Sequence, residues 1–145
     1  MYRVLVLEDN EERHKLFKKN YTRCELVIVV EAAEAIEKLK DEEWNFLFLD
    51  HDLGGNVFVD SHSDEPTGYT VAKWLQENPE RKPKIIATHS LNEAGRKNIM
   101  SVIECVDSPF AWMIPINFAD VEMAETGELP DVSIENGETK DDEIR

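Results

Sequence analysis

Short apolar runs alternate with amphipathic segments along most of this chain, and this alternation constrains the fold more than any other feature. The apolar runs have the length of buried strands, and the segments between them have helical periodicity. This order predicts parallel strands joined by helices that cover both faces of one sheet. The predicted strands are residues 3–7, 25–30, 45–49, 84–88 and 110–114. The predicted helices are residues 11–19 after an Asn10 cap, 32–40, one that begins after Thr67, and 93–105.

Five strands in this order predict right-handed crossovers and an open, twisted sheet. A loop over residues 54–66 is long for a connection between a strand and a helix. Residues 1–119 are expected to form one α/β domain, whose last helix is short or missing. Residues 120–145 carry ten acidic side chains against Lys140 and Arg145, without apolar periodicity, so a flexible acidic tail is expected there.

Charge and composition limit the function classes. The chain has 145 residues and a formal net charge of -15, which disfavours broad contact with nucleic-acid backbone. No apolar run approaches the roughly 20 residues that span a bilayer. The first strand begins without a basic and apolar leader, so we expect a cytoplasmic protein with no membrane partner. Cys24 and Cys105 lie far apart and are interpreted as reduced structural thiols.

Polar clusters directly follow three predicted strands. These clusters are Glu8-Asp9, Asp50-His51-Asp52 and His89-Ser90-Leu91-Asn92. The carboxyl ends of parallel strands meet at one edge of a sheet, where ligands bind in folds of this class. We therefore expect the side chains of Asp9, Asp50, His51 and His89 to open onto one cleft.

Clustered carboxylates favour a bound cation, because like charges at short range repel one another. Glu8, Asp9 and Asp50 are the candidate ligands of a divalent cation. Oxygen ligands favour Mg²⁺, while the neighbouring imidazoles also permit Mn²⁺ or Zn²⁺. The alternative is that Asp9 and Asp50 only cap helices.

The strand order and the acids resemble the receiver domains of two-component signalling. Glu8-Asp9 is similar to their acidic pair and Asp50 to their phospho-acceptor, while Thr88 or Ser90 would take the place of their hydroxyl residue. The resemblance implies a receiver-like (flavodoxin-like) open five-stranded parallel sheet. Receivers carry a lysine just before a proline at the end of the fifth strand. Ile114 precedes Pro115 here, and no lysine lies between residues 97 and 140.

A narrower resemblance explains these departures. Three motifs are similar to the cyclic-phosphate processing receiver domains, a bacterial and phage family derived from the receiver fold. The motifs are Leu49-Asp50-His51-Asp52-Leu53-Gly54-Gly55, Thr67-Gly68-Tyr69 with Trp74-Leu75, and His89-Ser90-Leu91-Asn92 with Gly95 and Asn98-Ile99-Met100. The resemblance implies hydrolysis of a cyclic phosphate on a small nucleotide-type substrate.

The residue types are compatible with such a reaction. His51 or His89 could act as acid or base near neutral pH, while Asp50 could hold a metal ion and Asp52 could orient an imidazole. Thr88, Ser90 and Asn92 are candidate phosphate ligands at the start of a helix. Two other functions stay open: a pseudo-receiver that binds a partner without chemistry, and a receiver phosphorylated on Asp50.

Overall fold

The structure is a computed structural model that describes residues 1–53, 60 and 65–113. It contains five parallel strands: β1 (Arg3–Leu7), β2 (Glu25–Val29), β3 (Phe46–Leu49), β4 (Ile85–Thr88) and β5 (Val106–Asp107). Four helices connect them: α1 (Glu11–Asn20), α2 (Ala32–Asp41), α3 (Gly68–Glu77) and α4 (Glu93–Val102). The strand order β2-β1-β3-β4-β5 is that of the flavodoxin-like folds, as expected from the alternating pattern.

The sheet has an apolar core on each face, because successive strand residues point to opposite sides. On one face, Leu5, Leu7, Leu47, Leu49 and Ile86 pack against α2, α3 and α4. On the other face, strand residues that include Val6, Phe48 and Ala87 pack against Phe17 of α1, against Tyr21 directly after it, and against Ala111 and Trp112. Burial on both faces accounts for the nearly continuous apolar runs of β1, β3 and β4.

Helix starts follow the capping signals in the sequence. Asn10 accepts a hydrogen bond from the Arg13 backbone N–H and caps α1, and Thr67 caps α3, both as predicted. Asn92 caps α4 by accepting from the Gly95 N–H. Within the described residues, no helix is long and apolar enough to cross a membrane.

The predicted fifth strand was wrong. β5 is Val106–Asp107, whereas Ala111–Met113 forms a 3₁₀ helix and Ile114 lies outside the described residues. Two carbonyl groups of this apolar run accept hydrogen bonds from side chains at the end of α1 and not from a neighbouring strand. Tyr21 Oη donates to Ala111 O at 2.8 Å, and Asn20 Nδ2 donates to Trp112 O at 2.6 Å. A short apolar run does not by itself distinguish a strand from another buried segment.

The predicted fourth helix was too long. α4 ends at Val102 rather than at Cys105, because Ile103 is extended and leads the chain into β5. Most of the loop over residues 54–66, the predicted short or missing last helix and the predicted acidic tail lie outside the described residues.

Both cysteines are free thiols, and burial raises the pKa of Cys24 to about 11 and that of Cys105 to about 12.

Candidate functional site

Four polar residues form one row across the carboxyl edge of the sheet. Each of them directly follows a strand: Glu8 follows β1, Asp50 follows β3, His89 follows β4 and Ser108 follows β5. The register of the strands places them side by side. Their backbone N–H groups continue the ladder with hydrogen bonds of 2.9 to 3.1 Å to the neighbouring strand. Strand alternation directs them to the face covered by α1, and none is more than 5% exposed.

Glu8 is the centre of this row. Its Oε1 accepts a hydrogen bond from His89 Nε2 at 2.8 Å and another from Arg13 Nε at 3.0 Å. Its Oε2 accepts the backbone N–H of Asn10 at 3.0 Å. Burial acts to raise the pKa of Glu8, but the hydrogen bonds from His89, Arg13 and Asn10 outweigh it and lower the pKa to about 2. Glu8 is therefore ionised at neutral pH.

His89 is fully buried in an aromatic pocket. Its ring lies 5.3 Å from the ring centroid of Phe17 and 5.7 Å from that of Trp112. Burial lowers the pKa of His89, and the neighbouring Glu8 only partly opposes this effect. The imidazole is thus neutral near pH 7 and donates through Nε2 to Glu8, while Nδ1 has no hydrogen-bond partner among the described residues.

Asp50 stands between this pair and Arg13. Its Oδ2 lies 3.7 Å from Arg13 Nη2 and has no hydrogen-bond partner in the part of the chain that the structure describes. Burial and the adjacent Glu8 carboxylate raise the pKa of Asp50 to about 9. Asp50 consequently holds a proton at neutral pH unless a cation joins it.

A second cluster lies on the opposite face of the sheet, against α4. His51 Nδ1 is 2.8 Å from Asp52 Oδ1, which also accepts a hydrogen bond from Asn92 Nδ2 at 3.0 Å. The His51 ring is fully buried against Gly95, where an added Cβ would lie 2.4 Å from its Cγ. A Cβ on Gly68 would lie 2.3 Å from the backbone oxygen of Asp50, so both helices approach this corner through glycine.

The candidate phosphate ligands belong to this second face. Thr88 and Ser90 alternate with His89 along the chain, so they point away from the Glu8 row. Ser90 Oγ accepts the backbone N–H of Asn92 at 3.0 Å, and Asn92 caps α4. Thr88 Oγ1 is buried without a hydrogen-bond partner among the described residues.

The expectation of a single cleft was therefore wrong for His51. The structure brings Asp50 and His89 together with Glu8, but His51 joins Asp52 and Asn92 on the other face. Asp9 is half-buried beside the row, and its negative charge contributes to the raised pKa of Arg13.

Two residues of the site, Ser108 in the row and Arg13 on α1, were missed at the level of sequence. Ser108 was overlooked because the fifth strand was placed too late; it precedes Pro109, so Ser108, and not Ile114, takes the place where receivers carry their lysine. Arg13 lies within α1 and not directly after a strand, so the search for polar strand ends did not find it. A signal did exist, since Arg13 is three residues after the cap of α1 and therefore in the turn that faces the strand ends.

The donor set fits a divalent cation. Glu8, Asp50 and His89 each place one ligand atom within 4.8 Å of the others, and Asp50 Oδ2 lacks a hydrogen bond among the described residues. This set contains Glu8 and Asp50 as predicted, but His89 takes the place of Asp9. Two carboxylates with an imidazole suit Mn²⁺ or Zn²⁺ as well as Mg²⁺.

Comparison with known proteins agrees with this architecture. The profile of the cyclic-phosphate processing receiver domain matches residues 3–105. None of the curated proteins matches the sequence.

Solved structures of receivers share the fold at low sequence identity. The phosphorylated cyanobacterial phytochrome response regulator RcpA is 18% identical, with a TM-score of 0.62 over 90% of this chain and 99% of that chain. The response regulator TrrA of Thermotoga maritima, in complex with Mg²⁺ and BeF, is 17% identical, with a TM-score of 0.57 over 87% and 97%. The Mn²⁺-bound response regulator Rcp1 is 18% identical, with a TM-score of 0.56 over 99% and 98%.

Proposed function

This chain belongs to the cyclic-phosphate processing receiver domain family, and from that premise we propose that it hydrolyses a cyclic phosphate on a small nucleotide-type molecule in the cytoplasm. In this reaction water attacks the phosphorus atom and one P–O ester bond breaks. The departing alkoxide takes a proton, and a phosphomonoester remains. The ligand is thus a small phosphorylated molecule.

The observation that carries the proposal is the buried pair of Glu8 and His89 beside Asp50. Glu8 holds Nε2 of the imidazole at 2.8 Å, and Nδ1 has no hydrogen-bond partner among the described residues. An imidazole that a carboxylate orients through one nitrogen can exchange a proton through the other. His89 is accordingly the candidate acid or base for the attacking water or the leaving alkoxide.

The acids supply a place for a divalent cation. Glu8 and Asp50, the two carboxylates of the donor set that also contains His89, would hold Mg²⁺, Mn²⁺ or Zn²⁺. When bound, such an ion supplies charge stabilisation for the phosphoryl oxygens and an activated water. Asp50 would release its proton on binding, because its raised pKa reflects burial beside another carboxylate.

The second cluster is assigned a supporting part. Asp52 orients the His51 imidazole, and Ser90 and Asn92 shape the start of α4, where backbone N–H groups favour an anion. Because His51 is fully buried against Gly95, its contribution to proton transfer requires this corner to open.

Turnover of cyclic phosphates tests the proposal directly. Purified protein with Mg²⁺ or Mn²⁺ is incubated with 2′,3′- and 3′,5′-cyclic nucleotides, and the phosphomonoester product is followed by ³¹P NMR. Glu8→Gln is expected to lower kcat/KM by about 100-fold or more, since it removes the charge that orients His89. Glu12→Gln, an exposed glutamate on α1, serves as the matched control and should retain full activity.

Two results would count against hydrolysis. The first is the absence of product from every cyclic phosphate with every metal. The second is a Glu8→Gln or His89→Ala variant that folds and turns over substrate at the wild-type rate.

The burial of both histidines favours a second candidate, a pseudo-receiver that binds a partner without chemistry. Neither His51 nor His89 exposes any surface to solvent. If this candidate is correct, His89→Ala leaves the biological activity intact while no cyclic phosphate turns over.

Phosphorylation of Asp50 is the weakest candidate. Ser108 stands where receivers carry their lysine, and the sequence has no lysine between residues 97 and 140. Stable labelling of Asp50 by acetyl phosphate, lost in Asp50→Asn, would revive it.

A further inference from the structure

Arg13 contacts both of the acids that would hold a divalent cation. We propose that Arg13 is a resident counter-ion of the acidic pocket, and that it and a divalent cation bind there in competition. The inference rests on the cation site of the proposed function and on no step of hydrolysis. It assigns a regulatory part to a residue of α1 that the reaction itself does not require.

Both carboxylate oxygens of Glu8 accept hydrogen bonds while Arg13 is in place, and Oε1 accepts two of them. Oε1 accepts from His89 Nε2 and from Arg13 Nε, and Oε2 accepts the Asn10 N–H. A metal ion needs an oxygen lone pair that no donor occupies. Withdrawal of Arg13 frees a lone pair of Oε1 and removes a positive charge from the pocket, whereas His89 and Asn10 are fixed by the strand end and the helix cap.

Arg13 reaches both acids from one position. Its Nε lies 3.0 Å from Glu8 Oε1, and its Nη2 lies 3.7 Å from Asp50 Oδ2. The second contact is too long for a hydrogen bond, and Asp50 Oδ2 has no hydrogen-bond partner among the described residues. The guanidinium therefore neutralises Glu8 but leaves Asp50 with a buried, unpaired oxygen that points to a further ligand.

The Arg13 guanidinium also contacts an aromatic ring at the edge of the pocket. Its guanidinium lies over the Trp112 ring at 5.0 Å, and 23% of the side chain is exposed. Asn20 Nδ2 donates to the Trp112 backbone carbonyl at 2.6 Å, which anchors this segment to α1. Stacking on an aromatic face stabilises a guanidinium without a carboxylate partner.

Mutual exclusion follows from charge. A guanidinium and a divalent cation that share the same two carboxylates would lie a few ångströms apart and repel each other strongly in a buried site. One of them must leave. Occupancy of the pocket by metal therefore depends on how firmly Arg13 is held.

Direct Mn²⁺ binding tests the inference with the full chain. Affinity is measured at neutral pH by isothermal titration calorimetry and by the EPR signal of unbound Mn²⁺. Arg13→Gln is expected to bind Mn²⁺ at least about tenfold more tightly than the wild type, since the competing charge is removed. Lys15→Gln removes the same charge from the exposed side of α1 and is expected to change affinity by less than about twofold.

Unchanged or weaker Mn²⁺ binding by a folded Arg13→Gln variant would overturn the inference. So would an equal gain in Lys15→Gln, because the effect would then be a general one of net charge. If Arg13→Gln does not fold without metal, recovery of its circular dichroism at Mn²⁺ concentrations below those that saturate the wild type supports competition. Failure to recover at saturating concentrations contradicts it.

The measurement is independent of turnover. Tighter Mn²⁺ binding by Arg13→Gln without hydrolysis of any cyclic phosphate would keep the competition and remove the proposed reaction. Hydrolysis of a cyclic phosphate by the wild type, with the same Mn²⁺ affinity in Arg13→Gln as in the wild type, would keep the proposed reaction and remove the competition.

Discussion

At the scale of single side chains, the site depends on which way each residue points after its strand ends. Asp50 and His51 are neighbours in the chain, yet one faces α1 and the other faces α4. Alternation along an extended backbone makes this separation unavoidable. His89 rather than Thr88 or Ser90 therefore stands beside Asp50, and the hydroxyl residue expected from receivers is replaced at this position by an imidazole.

Gly95 provides a test of how tightly His51 is held. In most helices Gly→Ala stabilises by up to about 1 kcal/mol, because glycine loses more backbone entropy. Here the new Cβ would lie 2.4 Å from His51 Cγ, so Gly95→Ala is expected to lower the free energy of unfolding by about 2 kcal/mol. Urea denaturation measures the change.

Ser101→Ala, an exposed position on the same helix, is the control and should be neutral or slightly stabilising. In a His51→Ala background the cost of Gly95→Ala should fall, since most of the contacting ring is gone. An equal cost in both backgrounds would show that His51 is not the obstacle.

At the scale of elements, the two asparagine caps differ in what else they hold. Asn10 caps α1 at an exposed position through its contact with the Arg13 N–H. Asn92 caps α4 while buried, and its amide also donates to Asp52, which contacts His51. The Asn92 cap thus ties the start of α4 to the residues that follow β3.

This difference predicts unequal losses of stability. Asn10→Ala is expected to cost about 1 kcal/mol, as for an ordinary N-cap. Asn92→Ala is expected to cost about 2–3 kcal/mol, because a buried hydrogen bond to a carboxylate is lost together with the cap. Denaturant unfolding of both variants gives the comparison, and equal costs would mean that the bond between Asn92 and Asp52 contributes nothing.

Elements also explain where the sequence pattern misled. The run over residues 110–113 is as apolar as a strand, but the backbone carbonyls of its two middle residues accept hydrogen bonds from Tyr21 and Asn20 at the end of α1. The two residues of β5 carry no apolar run and join the sheet only because Ala87 and Thr88 offer an open edge. Pairing of distant segments decided this element, and local pattern does not record it.

At the scale of the whole molecule, the described residues form two apolar cores, one on each face of the sheet. Every buried apolar residue of the described chain belongs to one of these two clusters, which together span positions 4 to 112. The prediction of a domain over residues 1–119 followed by an acidic tail is thus open to a direct test.

A chain that ends at Ala119 is expected to unfold cooperatively, with a midpoint of urea denaturation within roughly 10–15% of that of the full chain. The reason is that removal of the acidic segment takes away no part of either described core. Loss of cooperativity, or a clearly lower midpoint, would show that residues beyond 119 belong to the folded domain.

The sequence by itself determined the first four strands and the helices between them, the caps Asn10 and Thr67, and the polar residues that follow β1, β3 and β4. Those features are local, since hydrophobic periodicity and capping chemistry are read over a few adjacent residues. Family membership followed from the same local motifs.

Only the tertiary structure decided which of these residues meet. The pairing of Glu8 with His89 spans 81 positions, the Arg13 contact with Asp50 depends on how α1 packs, and the place of Ser108 depends on where β5 joins the sheet. Register and packing arise from long-range contacts, and one residue of register reverses the face on which a side chain lies.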